Sequence, residues 1–271
     1  MRIRSLAVVL TAVSSLALAG CGGGGTDAAQ DPNAPLAIGV SPQPHGEILK
    51  YVDENLAPKA GIDLEIEQFD DYNRPNEAVA NGELDANYFQ HKPYLAEYQA
   101  QRGGEFEWVQ TVHLEPLSIY SKKVKSLQEL PNGARIALPN DPSNLTRSLK
   151  LLEDNGIIKL KPGSEQGAGV RDVAENPKNV EFQELSSDQL PRAVDDSDAA
   201  IVNGNFALKA NLTDPLVVEK AENNPYANGL VASPAMAKDP RVQKLAELLR
   251  SPEVKDYINK TYGGISVIPA D

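Results

Sequence analysis

"LDANYFQHKPYLAEYQAQRG", residues 84–103, sets the fold class because two periodicities meet inside it. Leu84 to Phe89 reads as a buried strand, and Lys92 to Gly103 as a helix closed by glycine. Neighbours on a strand point to opposite faces, so Tyr88 and Phe89 diverge and only one can look into a cleft. His91 and Tyr94 lie three apart and share a face of the following helix. Phe89, His91 and Tyr94 can therefore converge at one strand-to-helix junction. The chain has only 15 Phe, Trp and Tyr residues. Three of them and a histidine between positions 88 and 94 are either a piece of core or a box built to hold something. The histidine leans against pure core, because its ring nitrogens need partners.

Outward from this junction the same alternation continues. Strand patterns occur at "LAIGVS" (36–41), "DLEIEQF" (63–69), "EWVQTV" (107–112), "PLSIYS" (116–121), "ARIALP" (134–139), "NVEFQEL" (179–185), "DAAIVNG" (198–204) and "NGLVAS" (228–233). Helical patterns occur at "HGEILKYVDENL" (45–56), "NEAVANGE" (76–83), "DPSNLTRSLKLLEDNG" (141–156), "RVQKLAELL" (241–249) and "PEVKDYINKTY" (252–262). Strands alternating with helices at this spacing predict an α/β fold with mainly parallel sheets flanked by helices. The length from Leu36 onward suits two such lobes with a cleft between them. Ligands of such folds bind beyond the carboxyl ends of the strands.

The first 35 residues have a different character. Arg2 and Arg4 precede an apolar run from Leu6 to Leu18. That run is shorter than the ~20 residues a spanning helix needs and reads as a secretory leader. It ends in "LAGC", Leu18 to Cys21, which resembles the lipobox of bacterial lipoproteins. Cys21 is the only cysteine, so an intrachain disulfide is excluded and lipidation accounts for it. Two acyl chains on one residue anchor stably where one is marginal. "GGGGTDAAQDPNAP" (22–35) has no apolar periodicity and reads as a flexible tether. The predicted layout is a signal peptide at 1–20, a tether with lipidated Cys21 at 21–35, and the two lobes thereafter. Removing the leader takes the net charge from −12 to −14, since Arg2 and Arg4 go with it. That balance argues against nucleic acid or anionic lipid as a partner.

Three segments carry candidate chemistry. In "PNDPSNLTR" (139–147), Asp141 is a plausible N-cap and Pro142 suits the first helical position. Asn144 and Arg147 then share one face, while Leu145, Leu149 and Leu152 group on another. A helix start with an arginine fork suits a small anion, and a plain surface helix fits equally well. Asn203 ends one strand and Asn228 begins another. Each can make a turn, or offer a donor and an acceptor to a zwitterion. Catalysis finds no support: there is no G-x-S-x-G turn, reactive cysteine or glycine-rich phosphate loop. A metal is not expected either. His45, His91 and His113 are the only histidines, and no pair has the short spacing of a zinc site.

Several segments together resemble the methionine-binding lipoproteins of ABC importers, the NlpA lipoprotein family. They include "SPQPHGEIL", "DDYNRPNEAVANGELDANYFQHKPYL", "HLEPLSIYSKK", "PNDPSNLTRSLKLLEDNGIIKLK", "ENPKNVEFQEL" and "DAAIVNGNFAL". The resemblance implies a two-lobed, Venus-flytrap fold closing over one amino acid, with lobe 1 at 36–115 plus 229–271 and lobe 2 at 116–228. It places the thioether of the ligand among Tyr72, Phe89, His91 and Tyr94. It gives Arg147 the α-carboxylate with Asn144 nearby, and has Asn203 and Asn228 hold the amino and carboxylate groups. It implies methionine, of either hand, as ligand, no cofactor, no enzymatic activity, and a permease with its ATPase as partners. The expected protein is a monomer, anchored through Cys21 and facing the outside of the cytoplasm. Another apolar amino acid, a methionine-containing dipeptide or a metal ion are the alternative ligands. Two departures stand out. Gly204 occupies a place where some relatives have a second asparagine, and Gly229 one where branched apolar residues are common.

Overall fold

The computed structural model describes residues 34–164 and 166–270, which fall within one compact unit. The predicted leader, Cys21 and the tether up to residue 33 lie outside the described residues. The chain begins with β1 (Leu36–Val40), α1 (Glu47–Asn55), α2 (Ala57–Ala60), β2 (Leu64–Gln68), α3 (Arg74–Ala80), β3 (Ala86–His91), α4 (Lys92–Arg102) and β4 (Glu107–Leu114). The middle part has β5 (Ser118–Tyr120), β6 (Arg135–Pro139), α5 (Pro142–Asp154), β7 (Lys159–Leu160), β8 (Val173–Glu175), β9 (Glu181–Leu185), α6 (Leu190–Asp196), β10 (Ala199–Val202), α7 (Gly204–Lys209) and β11 (Val217–Val218). The chain closes with β12 (Asn228–Ala232), α8 (Pro240–Leu249), α9 (Pro252–Tyr262) and β13 (Ile268–Pro269).

Local chemistry explains the helix ends that matter for the site. Asp141 caps α5 by accepting from the Asn144 N–H, with Pro142 in the first turn. Gly156 follows α5 at φ 71°, a left-handed turn that glycine adopts without strain. His91 caps α4, its ring nitrogen Nδ1 accepting from the Tyr94 N–H at 3.1 Å. A histidine side chain thus does what Ser or Asp does at most helix starts.

Two sheets form the two lobes. The first has strand order β13-β4-β12-β3-β1-β2, the second β11-β5-β10-β6-β9. Parallel pairing, expected for most of the strands, holds on one side of each sheet: β1 with β2 and β3, and β6 with β9 and β10. The other side is antiparallel: β12 with β3 and β4, β13 with β4, and β5 with β10 and β11. A parallel neighbour needs a crossover long enough to hold a helix. The chain instead passes from β4 to β5 through Glu115, Pro116 and Leu117 alone, and returns to β12 through a helix-free loop. The short elements α2, α6, α7, β7, β8, β11 and β13 carried too few residues to show a period.

Each sheet has its own core. Ile38, Leu49, Val52, Tyr88, Leu230 and Val242 belong to the first, and Ile119, Ile136, Leu149, Leu152 and Ile201 to the second. Leu151, which falls near Arg147 around α5, is buried in the second core as well.

Gly229 lies at a bulge where β12 shifts register against both neighbours. A Cβ there would overlap the Gln110 carbonyl and the Trp108 ring. Trp108 therefore occupies the space a branched side chain would take, and Gly229 is what keeps β12 seated. Gly229→Val should destabilise the protein by ~1–3 kcal/mol, as overpacking does. A lowered urea midpoint is the expected result; an unchanged midpoint would mean that β12 can move aside.

Candidate functional site

All eight residues singled out from the sequence line one cavity. The strand-to-helix junction β3–α4 contributes its aromatic wall. Tyr88 turns inward to the core, while Phe89, the next residue, faces the cavity. Phe89 and Tyr94 rings meet at 5.8 Å, nearly perpendicular, and Tyr72 lies 5.7 Å from Tyr94. The Tyr94 hydroxyl donates to the Tyr72 carbonyl at 3.0 Å, which ties α4 to the segment before α3. The resulting pocket is apolar, with few free polar atoms.

The opposite wall is polar, and its wiring can be read atom by atom. The Asn144 amide nitrogen donates to both oxygens of Asp141, at 3.0 and 3.1 Å. Its oxygen accepts from Asn203 Nδ2 at 3.0 Å and meets His91 Nε2 at 3.2 Å. Because His91 Nδ1 already accepts from a backbone N–H, the proton of the neutral ring sits on Nε2 and is donated to Asn144. The side chain of Asn144 is thus fully engaged, holding His91 and Asn203 in place. Asn203 Oδ1, by contrast, is buried without a partner, and neither ring nitrogen of His45 makes a hydrogen bond of good geometry. Asn228 sits at the start of β12, beside His91 and His113 in register. Its amide nitrogen, oriented as its surroundings require, donates to the carbonyls of Phe89 and Gln90 at 3.2 Å.

Arg147 is only 4% exposed. Its Nε and Nη2 bind the two oxygens of Glu219 at 2.9 and 2.5 Å, and Nη2 also donates to the Glu115 carbonyl at 2.9 Å. The Tyr226 ring covers its face at 4.4 Å. Glu219 is itself held, because its Oε2 accepts from the Leu117 N–H at 3.1 Å. The fork expected to receive an anion therefore has one edge taken by the protein. Nη1 carries no hydrogen bond among the described residues, and Arg147 lines the cavity.

Six further residues shape the site. Glu219 and Tyr226 come from the loop around β11, where no pattern in the sequence marks them. Glu115 and His45 line the cavity from the link between the sheets and from the turn before α1. Asn205 accepts from the Tyr72 hydroxyl at 2.6 Å, a bond that joins the two walls. Gly204 makes room for Glu115, since a Cβ there would lie 2.7 Å from the Glu115 Cβ.

Burial dominates the electrostatics. It pushes Glu115 and Asp141 up from the ordinary carboxylate range, against the nearby positive charge of Arg147. His91 is lowered to about 3, first by burial and then by Arg147. His45 falls to about 4 and His113 to about 3, again through burial.

A two-lobed α/β body with a cavity that is aromatic at one end and polar at the other defines a substrate-binding protein. The chain belongs to the NlpA lipoprotein family, whose match spans residues 36–270. It is 39% identical to the D-methionine-binding lipoprotein MetQ of Escherichia coli over 98% of both chains. The protein of that name from Yersinia pestis is 40% identical, also over 98% of both. Among solved structures, a nutrient-binding protein from Burkholderia cenocepacia bound to methionine superposes with a TM-score of 0.84. It is 41% identical, over 87% of this chain and 100% of its own. Among the described residues no helix is long and apolar enough to cross a membrane.

The folded pKa of His91, about 3, lies below its unfolded value near 6.5. The unfolded chain therefore binds the proton first, and the contribution of His91 is whole above pH 6.5 and shrinks as pH falls towards 3. His91→Gln should remove this slope. The stability of wild type relative to the variant should fall by about 1.4 kcal/mol per pH unit below 6.5. Urea unfolding at pH 7, 6 and 5 measures it, and a difference that does not change with pH would contradict the burial of a neutral ring.

Proposed function

We propose that this protein is the receptor of an ABC importer and that it captures methionine in the cavity between its lobes. The observation that carries this reading is the polarity of the cavity. Rings of Tyr72, Phe89 and Tyr94 line one end, and unpartnered polar atoms converge at the other. A zwitterion with an unbranched apolar side chain matches both. Nη1 of Arg147 faces the carboxylate, with Asn228 beside it. Asn203 Oδ1 and the Glu115 carboxylate accept from the ammonium. The Burkholderia cenocepacia relative, bound to methionine, supports this ligand.

The energies sort the roles. A sulfur against an aromatic ring contributes ~0.3–1.5 kcal/mol, and burying a methionine-sized side chain ~1.5–3 kcal/mol. These terms select a medium-sized apolar group. Removing one partner of a buried charge pair costs ~3–5 kcal/mol, so the charged end carries more of the affinity. Residues 36–115 with 229–271 act as one lobe and 116–228 as the other. A ligand touching both favours the closed arrangement, and a permease with its ATPase reads that closure. The protein is a monomeric binder, not an enzyme, held at the outer face of the cell membrane by the lipid on Cys21.

Calorimetric titration of methionine tests this. Arg147→Ala should bind a hundredfold or more weakly, about 2.7 kcal/mol. Tyr94→Ala should lose less and relax the side-chain preference. Thermal melts of both variants check that they fold. Near-wild-type affinity in a folded Arg147→Ala would overturn the site. Mass spectrometry of the ligand that copurifies decides between methionine, another apolar amino acid and a dipeptide.

A further inference from the structure

Three buried side chains from separate stretches of chain meet beside the cavity, which two of them, His45 and Glu115, line. His45 comes from the turn before α1, His113 from the end of β4, and Glu115 from the link between the sheets. They are 1%, 0% and 4% exposed. His45 Nε2 lies 3.3 Å and His113 Nε2 2.7 Å from the same oxygen, Glu115 Oε1. One ligand atom from each lies within 4.8 Å of the others. Neither nitrogen of His45 makes a hydrogen bond of good geometry, and the Glu115 oxygen is the carboxylate that its Nε2 meets.

The surroundings of this triad are those of a ligand set. The Tyr88 hydroxyl contacts His113 Nδ1. His113 Nε2 shares a proton with Glu115 at 2.7 Å; a cation there displaces that proton, and the Tyr88 oxygen can accept from the Nδ1–H tautomer that frees the Nε2 lone pair. The Glu115 backbone is pinned by Arg147, and Gly204 leaves its side chain room. Zinc binds histidine nitrogen and carboxylate oxygen at ~2.0–2.2 Å, so tetrahedral ligand atoms sit about 3.3 Å apart. The His45 to Glu115 distance already has that value, and the His113 contact needs to open by about half an ångström.

We propose that His45, His113 and Glu115 form a site for one divalent transition-metal ion of the zinc class, with its fourth coordination position turned to the cavity. Two histidines and one glutamate make a three-ligand set of the kind that keeps a position open. Nitrogen ligands select against magnesium, which prefers all-oxygen octahedra. The metal site does not depend on methionine being the cargo. Where the ammonium also uses Glu115, the two ligands compete, and by linkage each weakens the other to the same extent.

The test is titration of Zn²⁺, with Mg²⁺ as control, into full-length protein freed of metal by chelation. The variants are His45→Gln and Glu115→Gln, of which the first breaks no hydrogen bond described above. One Zn²⁺ per chain is expected, at least tenfold weaker in both variants, with no response to Mg²⁺. Co²⁺ in place of Zn²⁺ should give the visible absorption of a low-symmetry nitrogen and oxygen site in wild type and not in His45→Gln. Absence of binding, or equal binding by wild type and folded variants through surface carboxylates, overturns the proposal. Methionine titrations of the same samples keep the two readings apart: a protein that takes methionine but no Zn²⁺ loses only the metal site.

Discussion

Taking the Arg147 guanidinium out of water costs several kcal/mol unless its protons find partners and its charge a counter-ion. Glu219 supplies both along one edge, Glu115 gives a backbone carbonyl, and Tyr226 covers the face. Those partners come from the link after β4 and from the loop that follows β11, while Arg147 itself rides on α5. Three separate parts of the chain must therefore come together for this one cation to be tolerated. Burial lowers the pKa of His91 most, and the same charge adds to that and enters the balance on Glu115 and Asp141.

The aromatic wall answers a different demand. It must be apolar, yet stay at the mouth of a lobe and not sink into its core. The alternation of β3 achieves this with consecutive residues, Tyr88 going inward and Phe89 outward. His91 then ends the strand, caps α4, and donates its one ring proton to Asn144 on the other wall. One side chain links strand, helix and the opposite lobe, and its neutrality at pH 7 is what lets it accept on one nitrogen and donate on the other.

Much of this was legible in the sequence, for reasons that differ by residue. The strand and helix periods around Tyr88, Phe89 and Tyr94 allowed only one of Tyr88 and Phe89 to face a cleft, and the family resemblance pointed to Phe89. Asp141, Pro142 and Gly156 marked the ends of α5. Leu145, Leu149 and Leu152 gave its buried face, and so the face left to Asn144 and Arg147. What could not be read was partnership at long range. Glu219 lies 72 residues from Arg147 in a stretch without periodicity, and nothing local announces that its carboxylate turns inward. His45, His113 and Glu115 show no ligand spacing because three chain segments, not one helix, bring them together. The antiparallel halves of the sheets were hidden for a similar reason. Strand direction depends on how the chain crosses between lobes, and strand composition is blind to that.

The placement of β12 carries a lesson about how the molecule is assembled. This strand lies between β3 and β4, with 113 residues of sequence separating the end of β4 from its first residue. Until residues 228–232 arrive, β3 and β4 each present a row of unsatisfied amides and carbonyls, the kind of margin that recruits strands from other chains. A polypeptide threaded through a membrane with its amino end first would expose both margins for most of its passage. For any chain that emerges amino end first, the first sheet can close only after residues 115–227 have emerged.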